Sequence, residues 1–363
     1  MIKTLSIFMQ GLVIISLFSH CSPSENDQAG NTASPTTEVK STKAAKIDTQ
    51  AVVSTIAFGS CNRQDQPQPL WQPILANNPD LWIWLGDNIY GDTDDMEKMA
   101  SMYAQQKQKA DYQELYENVP VIGIWDDHDY GINDGGKAFH KKAESRDLML
   151  DFLDVAEDAE VRQREGGYQA YTIGPEGKQV KVILLDTRYF RDTLLDSNEV
   201  GRRYEPNPDG DMLGEAQWRW LEKELKESTA EINILASSIQ VLSEEHGFEK
   251  WANLPASRER LFQLIADAKA KGVVFLSGDR HFGEISKINI SGVPYPVYDI
   301  TSSGLTHIYE SADESNRHRV GKLVTNLNFG VIEIEWGNTI NLTFKIKGEE
   351  NHTYQSASLN LTQ

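Results

Sequence analysis

Cysteine is nearly absent, with Cys21 and Cys61 the only two in 363 residues. If Cys21 is processed, Cys61 stands alone in the mature domain, and neither an intrachain disulfide nor a thiol redox pair can form. Positive charge is also scarce, 35 Lys and Arg against 54 Asp and Glu, for a formal net charge of −19. Docking on a polyanion needs clustered cations that release counterions, so nucleic-acid binding is excluded and any anionic substrate needs a bound metal or a focused Arg. A Gly-x-Ser-x-Gly nucleophile elbow and a Walker phosphate loop are both missing. What remains is 39% hydrophobic and 25% charged, the composition of an ordinary globular chain with ample material for a core.

The one long apolar stretch, residues 5–18, follows Lys3 and is too short for a comfortable membrane span. It reads as an export signal. Its end, Leu17-Phe18-Ser19-His20-Cys21, resembles the lipobox of bacterial lipoproteins, which implies a lipid anchor on Cys21 and a periplasmic or cell-surface location, as in an outer-membrane lipoprotein. The other reading is an ordinary cleaved secretory signal. Residues 22–50 are rich in Ser, Thr, Asn, Ala, Lys and Glu without apolar periodicity, as expected of a flexible tether, and residues 51–363 form the globular domain.

Within that domain, apolar runs of strand length recur at 52–58, 81–85, 119–125, 180–185, 232–236 and 273–276. Helical patterns are predicted over 97–116, 137–153, 213–225 and 261–268. The alternation argues for an α/β architecture. After about residue 282 it yields to consecutive strands, with 329–336 and 339–346 joined through Gly337-Asn338 as a hairpin.

Residues able to bind metal follow five of these runs. They are Gly59-Ser60-Cys61-Asn62, Gly86-Asp87-Asn88-Ile89-Tyr90, Asp126-Asp127-His128-Asp129, Asp186-Thr187-Arg188 and Gly278-Asp279-Arg280-His281. In open α/β sheets ligands bind beyond the C-terminal ends of strands, so parallel neighbours would bring these loops into one crevice. On composition alone Cys61 is as well explained by burial, but the polar residues after it favour a site. Thiolate, phenolate and carboxylate together suit a hard cation such as Fe3+, whereas the Asp-rich part suits Ca2+.

These blocks, led by Ser60-Cys61, resemble the motif series of the PhoD-like alkaline phosphatases, a branch of the calcineurin-like metallophosphoesterases. The resemblance spans about residues 53–345. It implies a mixed α/β fold, a four-layer αββα sandwich of two mixed sheets, and a phosphoesterase using iron with calcium. Cys61, Asp87 and Tyr90 match iron ligands, with Asp87 as the bridge to a second metal; Asp127, Asp279 and His281 match the remaining ligand motifs. Asp126 is a ligand or a neighbouring acceptor. His128 would act on the leaving oxygen as general acid, and Arg188 would clamp phosphate or serve as a structural ion-pair partner. Asp92, Asp94 and Asp95 read as a solvated face, and the segment ending Thr306-His307 resembles a late segment of the family. The tether reaches nearly to the first strand, leaving no room for the extra N-terminal β domain of longer relatives.

The expected function is that of an extracytoplasmic alkaline phosphatase acting on small-molecule or lipid phosphate esters, with in-line attack by a metal-bound hydroxide. A phosphodiesterase or phospholipase of the same family is the alternative. A surface lipoprotein that binds phosphate compounds or metal without catalysis is the alternative from another class.

Overall fold

The computed structural model describes residues 44–362, so the expected export signal, Cys21 and most of the expected tether lie outside the described residues. The last tether residues lie against the domain: Ala45 N–H donates to the Tyr116 carbonyl, and Ile47 packs on the core.

The first half of the domain runs β1 (Thr55–Gly59), α1 (Trp71–Leu75), β2 (Leu81–Leu85), α2 (Met96–Lys107), α3 (Ala110–Asn118), β3 (Val121–Ile124), α4 (Asp127–Tyr130) and α5 (Lys142–Phe152). It continues with β4 (Gln169–Ile173), β5 (Val180–Leu184), the short pair β6 (Leu195–Asp196) and β7 (Tyr204–Glu205), α6 (Gly214–Lys226), β8 (Ile232–Ala236), α7 (Pro255–Ala268) and β9 (Val273–Ser277). The end is all strand apart from one 3-10 turn: β10 (Gly283–Ile288), β11 (Val297–Ser302), β12 (Phe329–Glu335), β13 (Thr339–Lys347) and β14 (Thr353–Thr362).

Two six-stranded mixed sheets result, ordered β14-β13-β12-β1-β2-β3 and β10-β11-β9-β8-β5-β4. In the first, β1, β2 and β3 are parallel neighbours; in the second, β5, β8, β9 and β11 are. Strands buried on both faces need apolar residues at every position, which is why β2 reads Leu-Trp-Ile-Trp-Leu without alternation. The period of two survives in where those residues go. Ile183, Leu235, Val273 and Phe275 pack with α6 and α7, while Val182, Ile234, Val274 and Leu276 join the core between the sheets. Trp82 and Trp84 point the other way, onto Trp71 of α1 and Tyr112 of α3, with ring centroids 5.0–5.7 Å apart. Helices on the outer face of each sheet complete the four-layer αββα sandwich.

Two helix expectations are corrected. The pattern over 97–116 is two helices, because the buried stripe Met99-Tyr103-Gln106 does not continue in phase to Tyr112-Leu115-Tyr116. The pattern over 137–153 becomes helical only at Lys142, since Lys137 N–H is drawn to the Arg191 carbonyl at 2.9 Å. The hairpin through Gly337-Asn338 is present as β12 and β13.

Candidate metal centre

The loops leaving β1, β2, β3, β5 and β9 meet, but across two sheets and not along one. Gly278 shows how closely: a Cβ there would lie 2.4 Å from Ser60 Oγ, so only glycine lets the loops of the two sheets touch. Cys61 N–H donates to the Gly86 carbonyl and Asn62 N–H to the Asp87 carbonyl at 2.9 Å, which binds the first loop to the second. Asp129 accepts from the N–H groups of Asp87, Asn88 and Asp126 and binds the second loop to the third.

Cys61, Asp87, Asp279 and His281 all have positive φ, between 49° and 70°. Each such residue costs about 1–2 kcal/mol, and residues held this way cluster at functional sites. The turns aim the side chains inward. Cys61 Sγ lies 3.5 Å and Tyr90 OH 3.3 Å from Asp87 Oδ2, and Tyr90 OH is 3.0 Å from His281 Nε2. Donor atoms of three groups lie within 4.8 Å of one another: Cys61 with Asp87 and His281, Asp87 with Asp127 and His128, and Asp126 with Asp127 and Asp279. Asp87 belongs to the first two and divides its oxygens between them, Oδ2 toward Cys61 and Tyr90 and Oδ1 accepting His128 N–H at 3.3 Å.

The electrostatics fit a cation. Burial raises Asp87 well above the carboxylate range, with His128 opposing and Asp127, Asp129 and Asp279 reinforcing. Burial likewise raises Asp279 to about 7, against the pull of Arg280. Burial and the nearby Asp87 carboxylate hold the Cys61 thiol and the Tyr90 phenol above their ordinary values. His281, buried beside His307 and His128, falls to about 3 and is therefore neutral, as a ligand must be. Two buried polar atoms here, His281 Nδ1 and Asp126 Oδ2, have no hydrogen-bond partner. Metal ions would relieve both the repulsion and the missing partners. Cys61, Asp87, Tyr90 and His281 have the donors for one ion; Asp87, Asp127 and Asp279, with Asp126 Oδ2 beside them, have those for a second.

His128 lines the same crevice, stacked 4.2 Å from the Tyr90 ring, with Nδ1 2.7 Å from Asp92 Oδ1. Burial lowers it, but Asp87 and the Asp92 hydrogen bond outweigh burial and lift it to about 11. Asp92, two positions beyond Tyr90 in the same loop, is exposed as a solvated face would be, and it also positions His128, a contact that the sequence reading did not foresee. Its neighbours do other work: Asp95 caps α2, and Asp94 lies 3.6 Å from His140. His307 also reaches the site, its ring 4.2 Å from His281 and 5.0 Å from Tyr90.

Of the two roles expected of Arg188, the structure gives it that of structural ion-pair partner and not that of phosphate clamp. Its side chain is fully buried, pairing with Asp126 and, at 2.6 Å, with Glu249, so it has no open face toward the crevice. Its effect passes through Asp126, whose Oδ1 it holds, and through Asp127, which Arg188 and His128 keep below the usual carboxylate range although burial alone would raise it.

Comparison with known proteins gives the family and the fold of this chain. Alkaline phosphatase D of Bacillus subtilis (strain 168) is 25% identical over 286 residues, covering 65% of this chain and 47% of that protein. The chain thus spans about half the length of the curated relative it matches. Among solved structures, that of PhoD superposes with a TM-score of 0.65 at 19% identity, covering 87% of this chain and 70% of that one. The purple acid phosphatase PPD1 from yellow lupin (Lupinus luteus) seeds gives a TM-score of 0.60 at 14% identity, with 88% and 55% covered. A dimetal phosphatase from Danio rerio gives 0.53 at 14%, with 86% and 100% covered. The family model described as PhoD-like phosphatase matches residues 56–319, most of the domain and every loop of the metal centre, and the chain belongs to that family.

Proposed function

We propose that this protein is an extracytoplasmic, metal-dependent phosphoesterase of alkaline phosphatase type, anchored through Cys21. One observation carries the catalytic part: Asp87, buried, offers one carboxylate oxygen to the Cys61 and Tyr90 side and the other to the Asp127 and His128 side. The thiol and phenol donors favour Fe3+ at the first position, and the carboxylates favour Ca2+ at the second. When bound, a metal pair lowers the pKa of water and neutralises charge on the phosphoryl oxygens.

The chain's own residues do the rest. Asp87 fixes the spacing of the two positions. His128, held at Nδ1 by Asp92, has Nε2 left to give a proton to the departing alcohol oxygen. Asp126 and Arg188 set the geometry of Asp127 from below. Location and anchor rest on the sequence of residues 3–22.

A second reading, hydrolysis of diesters, is supported by the state of the arginines around the crevice. Arg188 is buried, Arg280 pairs with Glu314, Arg203 is 2.9 Å from Asp134, and Arg63 is 3.3 Å from Asp65. The two buried ones, Arg188 and Arg280, are committed to their partners, so a monoester dianion gains little from them, whereas a diester carries one charge less.

Metal content, visible absorption and hydrolysis of a chromogenic monoester and diester should be measured on one purified sample. A charge-transfer band with iron and calcium present, and loss of both turnover and paired metal in Asp87→Asn, is the expected result. Full activity of Asp87→Asn at unchanged metal content would overturn the reading, and a colourless active protein would overturn the iron assignment alone.

A further inference from the structure

Two aromatic side chains at the mouth of the metal crevice remain exposed although the fold does not require it. Phe248 is 41% and Tyr309 50% exposed, and no other Phe, Tyr or Trp among the described residues is in that range. Both line the crevice that Asp127, His128, Asp279 and His281 also line. Exposed aromatic area is unfavourable in water, so its concentration at a pocket mouth marks a binding surface.

The two rings come from separate loops and pack against a third, short one. The Arg280 guanidinium lies 4.4 Å from the centre of the Phe248 ring, and the His281 ring lies 4.5 Å from that of Tyr309, so consecutive residues of the ligand-bearing loop brace one aromatic each. The backbone is fixed as well. Phe248 N–H donates to His246 Nδ1 at 3.2 Å, its carbonyl accepts from Lys250 Nζ at 3.1 Å, and Tyr309 N–H donates to the His281 carbonyl at 3.0 Å. The next residue, Glu249, is buried against Arg188 and Arg191. Rings held this firmly lose little freedom on binding.

Size places the ligand. The crevice has a volume of about 90 Å³, against roughly 300–1,000 Å³ for pockets that enclose a whole small molecule. It can take a phosphoryl group, and the organic part must then lie at the mouth. At the mouth that part meets Phe248 and Tyr309, beside the Arg203–Asp134 ion pair.

We propose that Phe248 and Tyr309 form a specificity subsite that takes a planar apolar substituent, an aryl or heteroaryl group, of the phosphate ester. This rests on the phosphoesterase reading above. Aromatic groups pair with exposed ring surface, edge or face, in a way that an alkyl chain does not.

The test compares kcat/KM for phenyl and ethyl phosphate, and for diphenyl and diethyl phosphate, in the metal-loaded full-length protein and in Phe248→Ala, Tyr309→Ala and Phe248→Trp. The aryl-to-alkyl ratio within each pair, taken relative to wild type, cancels the intrinsic reactivity of the leaving group. That ratio should fall roughly tenfold in either alanine variant, by the worth of one apolar contact, and return in Phe248→Trp. Phe248→Leu keeps bulk against Arg280 without a ring and should show the same fall, which covers failure of Phe248→Ala to fold. Ratios within twofold of wild type in all folded variants would overturn the subsite. Hydrolysis of none of the four esters by the metal-loaded wild type, read as release of phenol or ethanol, would instead overturn the phosphoesterase reading.

Discussion

Asp92 and Arg188 exchange the parts that their residue types suggest. Asp92 sits in a run of acidic residues and is exposed, as a solvated carboxylate is, but it also holds the His128 imidazole at 2.7 Å. Arg188 looks like an anion clamp, yet Asp126 and Glu249 occupy its guanidinium. Chain position could not separate these cases, because the deciding partners lie 36, 62 and 61 residues away. Asp92→Asn removes an anion that favours the imidazolium, so the His128 pKa falls and the acid form is lost at lower pH. The alkaline limb of kcat/KM against pH should therefore move to lower pH, with turnover reduced about ten- to a hundredfold, part of the 10²–10⁴ that a positioned acid contributes. An unchanged profile would remove His128 from the proton-donor role.

At the scale of elements, the strands were the most legible part. Leu81–Leu85 is apolar at every position and Ile232–Ala236 at all but Asn233, and both end at glycine, polar or charged residues, so their bounds are visible without a structure. Helix bounds were less so, since the break between α2 and α3 depends on which side chains Trp84 and its neighbours accept. The loops depend most on distant contacts. Glu249 joins the 246–251 loop to Arg188 and Arg191, all three fully buried. Glu249→Ala leaves two buried guanidinium groups short of a partner and should destabilise the fold by about 3–5 kcal/mol, read as a lower midpoint in urea. A shift of less than 1 kcal/mol would mean the network is not holding the loop.

For the whole molecule, the acidic centre makes stability depend on metal and on pH together. Without metal, burial holds Asp279 and Asp129 at about 7, above the 3.8 of an unperturbed carboxyl. Between those values the folded state binds more protons than the unfolded one, so metal-free stability falls as pH rises from about 4 to 7. Metal binding should displace those protons and reverse the trend. The gap in Tm between metal-loaded and chelator-treated protein should therefore widen from pH 5 to pH 7.5; a constant gap would show that Asp279 does not face the ion.

Local chemistry was enough to establish the alternation of strands and helices, the ligand types at strand ends and the family resemblance, because strand burial and ligand identity are written in adjacent residues. The meeting of those ends across two sheets, the withdrawal of Arg188, the Asp92–His128 pair and the exposed rings of Phe248 and Tyr309 depend on contacts between residues far apart in the chain. Only the packing of one sheet on the other brings them within reach.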